Sequence, residues 1–128
     1  MGLDCWVARS PYEPAALTDD EGALFARLDL PLSEWTASGG SVHFAGKRYL
    51  AVVERVAEVV LSEPWIGPAI VAQMAQRFAA ADPQTTLASL NADDPGYQAW
   101  ALSLEEFAAL RVLFRTCAAA GLGFVNDW

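Results

Sequence analysis

Two four-residue signatures dictate where helices must start in this chain. Thr18-Asp19-Asp20-Glu21 and Ser103-Leu104-Glu105-Glu106 each set a hydroxyl three residues ahead of a glutamate. In such a capping box the hydroxyl accepts from the N3 amide, while the glutamate accepts from the N-cap amide. The first box predicts a helix from Asp19 to about Leu28 that buries Ala23, Leu24 and Leu28, with Phe25 as a further candidate, and that stops at Pro31. Its three leading carboxylates suit the positive helix end. The second box predicts a helix from Leu104 to about Ala119. Phe107, Leu110, Phe114 and Cys117 should face the core, with Gly121 as the C′ residue.

Between the boxes, Tyr49, Val52, Val53, Val56, Val60 and Leu61 keep a 3.6-residue period, which predicts a helix over about Arg48 to Leu61. Glu54, Arg55 and Glu58 then face outward. Pro68 suits the first position of another helix reaching about Ala81, with Ile70, Met74 and Phe78 on one stripe. A short helix from Pro83 to Leu90 follows, then a loop with the turn signal Asp93-Asp94-Pro95-Gly96. Leu32 to Gly40 and Ser62 to Gly67 read as connections.

Strand signals lie at the ends and near the middle. Leu3, Cys5 and Val7 alternate with Asp4, Trp6 and Ala8, ahead of the breaks at Pro11 and Pro14. Ser41 to Ala45 and Leu122 to Asn126 are short apolar runs. The expectation is one globular domain over residues 1–128, α+β in class. It is mainly helical, with four to five helices and a sheet of about three short strands joining the two termini and the segment near residue 43.

The hydrophobic fraction, 54%, exceeds the roughly 45–50% of an average soluble domain. A domain this small has little interior to hide the excess, so some apolar surface should face a partner or a second copy. Trp35, Trp65 and Trp128 are the candidate interface residues, since tryptophan is enriched at interfaces; Trp6 and Trp100 complete the set. A net charge of −8 repels nucleic-acid phosphates and anionic membranes and favours a basic partner. No leader pattern, lipidation signal or apolar run of spanning length is present, so a cytoplasmic location is expected. Cys5 and Cys117 form no ligand-spaced pair and should be reduced and buried.

The segment Ser38 to Tyr49 holds the only histidine and the only lysine. Gly46-Lys47 before a helix suggests a phosphate loop. However, Ser41 stands where the first glycine belongs and Arg48 where the Mg²⁺-binding hydroxyl belongs. A weaker anion site at the helix start remains, with His43, Lys47, Arg48 and Tyr49 as candidate ligand-binding residues; the competing reading pairs Lys47 and Arg48 with the chain's own carboxylates. His43 has no partner assignable by spacing, and a Cys5–His43 dyad depends on strand register. Asn91, Asp93 and Gly96 mimic part of a calcium loop, but Pro95 and Leu102 occupy ligand positions. No metal site or cofactor is expected. Asp4, Asp29, Glu34, Glu54 and Glu58 assign to no catalytic pair. Arg111 and Arg115, one turn apart, form a small basic stripe or a solvated face.

His43 to Tyr49 (H-F-A-G-K-R-Y) and Pro64 to Ala75 (P-W-I-G-P-A-I-V-A-Q-M-A) carry a resemblance. The chain resembles small uncharacterised bacterial proteins with an aromatic-x-Gly-Lys-x-Tyr element leading one helix and a Trp-Ile-x-Pro element leading another. That likeness implies a stand-alone domain and brings no activity. The functional expectation is a non-enzymatic protein acting by protein–protein binding or self-association. The alternative is a small-anion binder or minor enzyme with a pocket near His43, Lys47 and Arg48.

Overall fold

The alternating N-terminal segment becomes the middle strand of an antiparallel sheet. The computed structural model describes residues 2–12, 17–38, 40–93 and 102–128. Pro14, Trp100 and most of the 93–96 turn signal lie outside the described residues. Strand β1 (Asp4–Ala8) is flanked by β3 (Ser41–Ala45) and β5 (Gly123–Asp127). The two terminal strands therefore pair with each other, and the His43 strand joins them through β1, as expected. Two edge strands extend this trio: β2 (Thr36–Ser38) pairs with β3, and β4 (Trp65–Ile66) pairs with β5. The spatial order is β2-β3-β1-β5-β4. Strands of three and two residues are too short to show alternation, so both segments read as connections.

Both capping boxes form. Thr18 Oγ1 accepts from the Glu21 amide, and Glu21 accepts from the Thr18 amide at 2.9 Å. Ser103 and Glu106 reciprocate in the same way at 3.0 and 3.1 Å. They open α1 (Asp19–Ala26) and α5 (Leu104–Ala120). On α5 all four expected residues are buried, and the helix ends on Gly121 in the left-handed region. On α1 only Phe25 is buried; Ala23 and Leu24 are exposed and Leu28 is half-buried. One short helix against a sheet edge buries a single anchor rather than a full stripe.

A 3₁₀ turn (Lys47–Tyr49) leads into α2 (Leu50–Ala57). This helix stops four residues earlier than its periodicity suggests, because Glu58 adopts a left-handed conformation (φ 56°). Leu61 is still fully buried, delivered by the turn rather than by the helix, whereas Val60 is exposed. Helix α3 (Pro68–Ala80) starts on its proline and buries Val71, Met74 and Phe78, leaving Ile70 exposed. Helix α4 (Pro83–Asp93) runs three residues beyond Leu90.

The core lies between the helices and one face of the sheet. Leu3, Cys5, Val7, Val42, Phe44, Ile66 and Phe124 supply the sheet side. A chain of rings crosses it: Tyr49–Phe44–Phe124–Phe114–Phe78–Phe107, with successive centroids 5.0–6.0 Å apart. Three of the five pairs are edge-to-face and two are tilted; aromatic pairs add roughly 0.5–1.5 kcal/mol each beyond area burial.

Candidate functional site

The 41–49 segment divides its residues among three environments. Strand alternation puts Phe44 in the core and His43 on the opposite, outer face of the sheet. There His43 Nε2 lies 2.8 Å from Asp4 Oδ1, and its ring packs 4.5 Å from Trp6. The histidine therefore has a carboxylate partner that spacing did not reveal. Cys5 pairs with Phe44 rather than with His43, and it faces the core. A Cys5–His43 dyad is excluded by that register. Burial, aided by the Asp4 charge, pushes the Cys5 thiol up to about 12. Burial also raises Cys117. Both thiols are free and poor nucleophiles.

Gly46 is required by packing. A Cβ there would sit 2.5 Å from Cys5 Sγ and 3.2–3.3 Å from Leu61 and Leu3 methyl carbons. Its amide donates to the Leu3 carbonyl at 2.7 Å. The residue lets the chain turn tightly over β1, which accounts for a glycine here without a phosphate.

Arg48 reaches sideways to α5. Its Nε and Nη2 donate to the two Glu106 oxygens at 2.8 and 3.0 Å, a two-point clamp. Tyr49 is fully buried. Its hydroxyl donates to Glu106 Oε2 at 2.9 Å and accepts from the Ser33 amide at 2.8 Å. Burial pushes the Tyr49 phenol up to about 12. Burial also pulls the Glu106 carboxyl upward, but donation from Arg48, Ser103 and Tyr49 outweighs it and holds that carboxyl below its ordinary value. Lys47 is exposed on the 3₁₀ turn. Arg48 and Tyr49 thus meet at Glu106, while His43 lies on the opposite face of the sheet, so no common pocket forms.

Four other arginines are also engaged within the chain. Arg9 pairs with Glu21, Arg55 with Asp93 and Ser89, and Arg77 with Glu58. Arg111 does not form a stripe with Arg115. Its Nε and Nη2 donate to the Phe78 and Ala81 carbonyls at 2.9 and 2.7 Å, closing the end of α3. A cleft of about 300 Å³ lies among Arg55, Val56, Ala81, Thr85, Thr86 and Ser89. None of the candidate ligand-binding residues lines it. Among the described residues no group of three or more His, Cys, Asp or Glu is placed to hold a metal ion.

The outer face of the sheet gathers residues from all five strands. Thr36 pairs with His43, His43 with Trp6, Trp6 with Val125, and Val125 with Trp65. These five form one continuous row across the sheet. Trp65 lies over Gly123, where a Cβ would come within 2.8 Å of the indole. Trp6 is 42% exposed, and neither Trp6, Val125 nor Trp65 packs against the core. Of the expected interface residues, Trp65 belongs to this row and Trp128 is exposed just beyond β5. Trp35 belongs to the core side, with its indole N–H donating to the Leu28 carbonyl at 2.9 Å. Sequence reading did not single out Trp6 or Val125 as interface residues. The alternation that places Trp6 opposite Cys5 held the signal.

Comparison with protein-family models, with curated proteins and with solved structures finds no match. No helix among the described residues is long and apolar enough to cross a membrane.

Proposed function

We propose that the protein is non-enzymatic and acts by binding a basic protein partner through the outer face of its sheet. The observation that carries this reading is the row His43–Trp6–Val125–Trp65. An antiparallel sheet with one solvated face normally shows polar residues there. Here Trp6 and Val125 stand on the inner strands β1 and β5, with Trp65 beside them on edge strand β4, all outside the core. Large aromatics in a central patch are the usual anchors of a protein interface. The net charge of −8 favours a basic partner over a second copy, because two copies repel one another. Inert thiols and an Arg48 committed to Glu106 lend no support to covalent or anion chemistry. Kinship with the small bacterial proteins that share the Phe44–Tyr49 and Trp65–Pro68 elements belongs to the same proposal.

A photo-crosslinking amino acid introduced at Thr36 or Val125, and as a control at Leu24 or Glu54, tests this in cells producing the protein. Adducts to one protein confined to the outer-face positions are expected. Adducts from the control positions alone, or equally from both sets, would overturn the reading.

A further inference from the structure

The outer face carries a second feature beside its aromatic row. Asp4 and Asp127 are direct cross-strand partners on β1 and β5. Alternation places both side chains outward, since Cys5 and Asn126 between them are buried. Directly opposite residues have Cβ atoms roughly 4.5–5.5 Å apart, and like charges at that spacing repel. The five strands contain no lysine or arginine. Asp4 is paired with His43, while Asp127 has no ion-pair partner among the described residues. Trp6 stands two residues from Asp4 on the same face, diagonal to Asp127, with one side of its ring against His43 and the rest of the indole exposed. Two carboxylates and an exposed indole therefore share one corner, and the chain itself leaves their repulsion only partly answered.

We propose that this corner, formed by Asp4, Asp127 and Trp6, receives an arginine side chain of the protein partner. This rests on the outer-face reading above and supplies its chemistry. A guanidinium is planar, lies flat on an indole and offers a fork of N–H donors to carboxylates. An ammonium offers only a compact, strongly hydrated charge. A second copy of this chain carries the same net charge of −8 and is repelled, which favours a basic partner as the occupant.

The test titrates the full-length, isotope-labelled protein with hexa-arginine and with hexa-lysine at about 150 mM salt, where long-range attraction is screened. With hexa-arginine, the Trp6 indole N–H and the amides of Asp4 and Asp127 should move saturably. Hexa-lysine should bind more weakly. Asp127→Asn should weaken hexa-arginine binding by about two- to fivefold, the range of an exposed charge pair. Without peptide, Asp127→Asn should raise the melting temperature, because it relieves the cross-strand repulsion. Shifts spread over the whole surface, equal responses to both peptides, or an unchanged affinity in Asp127→Asn would overturn the proposal. A lowered melting temperature in that variant would do the same. If outer-face crosslinks persist while hexa-arginine leaves Trp6 unmoved, the docking face stands and the arginine anchor falls.

Discussion

Replacing Glu106 by glutamine should be among the most costly single-atom-scale changes in this protein. The carboxylate accepts both donors of the Arg48 clamp, the Tyr49 hydroxyl and the Ser103 amide. An amide of the same shape keeps one acceptor oxygen and turns the other into a donor. Either Arg48 Nε and the Tyr49 hydroxyl, or Arg48 Nη2 and the Ser103 amide, then face an N–H instead of a lone pair. Hydrogen bonds to charged groups contribute about 1.5–3 kcal/mol each. Some of that loss is recovered by solvent, because Arg48 is 32% exposed, so the net cost should be about 2 kcal/mol. For a domain of this size that corresponds to a fall in Tm of about 6–10 °C. Thermal unfolding followed by near-ultraviolet circular dichroism suits the assay, since Tyr49 lies in the core. Arg48→Met and the double variant complete a cycle. The coupling should be about 1 kcal/mol or more, as expected for groups in one network. The pH dependence has a fixed sign. The Glu106 carboxyl is held below its ordinary value of 4.5. Its stabilising contribution is therefore fully present above about pH 4.5 and is lost as pH falls through the lower folded value. The wild type should lose stability in acid faster than Glu106→Gln, so that the two curves approach one another. A change in Tm below about 2 °C, additive single variants, or parallel acid profiles would refute the clamp as a stabilising unit.

Three further outcomes follow from local geometry. Asn126 Nδ2 donates to the Leu61 and Glu63 carbonyls at 2.8 and 2.9 Å from a buried position; Asn126→Ala should cost about 2–3 kcal/mol in chemical denaturation. Glu58 occupies the left-handed region, and its ion pair with Arg77 is exposed; Glu58→Gly should therefore stabilise by about 1 kcal/mol, read as a higher Tm. Gly46→Ala should destabilise by about 1–3 kcal/mol through overpacking against Cys5, and adding Cys5→Ala should restore part of the loss because it removes the sulfur 2.5 Å from the new Cβ.

Local, repeated signals in the sequence translated well into structure. The hydroxyl-to-glutamate spacing placed the starts of α1 and α5, and the alternation of Leu3, Cys5 and Val7 gave the central strand its buried face. Features decided by tertiary partners were less legible. The end of α2 depends on Glu58, a residue with no left-handed preference to announce itself. The edge strands β2 and β4 exist only because β3 and β5 offer them hydrogen bonds. At the site, the cluster of His43, Lys47, Arg48 and Tyr49 in sequence suggested one pocket. Alternation and a 3₁₀ turn send His43 to the outer face, Tyr49 to the core and Arg48 to α5. The row on the outer face joins residues up to 119 positions apart, from Trp6 to Val125, so it required the strand order that sequence did not supply.

The central claim, that the outer face of the sheet docks a basic protein, turns most directly on Trp6. Once the crosslinked partner is identified, its affinity for the wild type and for Trp6→Ala can be compared by calorimetry. Trp6 is part-exposed and outside the core, so the variant should keep its fold, with stability lowered by about 1 kcal/mol through the lost stacking on His43. Loss of a central tryptophan anchor should weaken binding by about 2 kcal/mol or more, at least tenfold. Unchanged affinity in a folded Trp6→Ala protein would contradict the account.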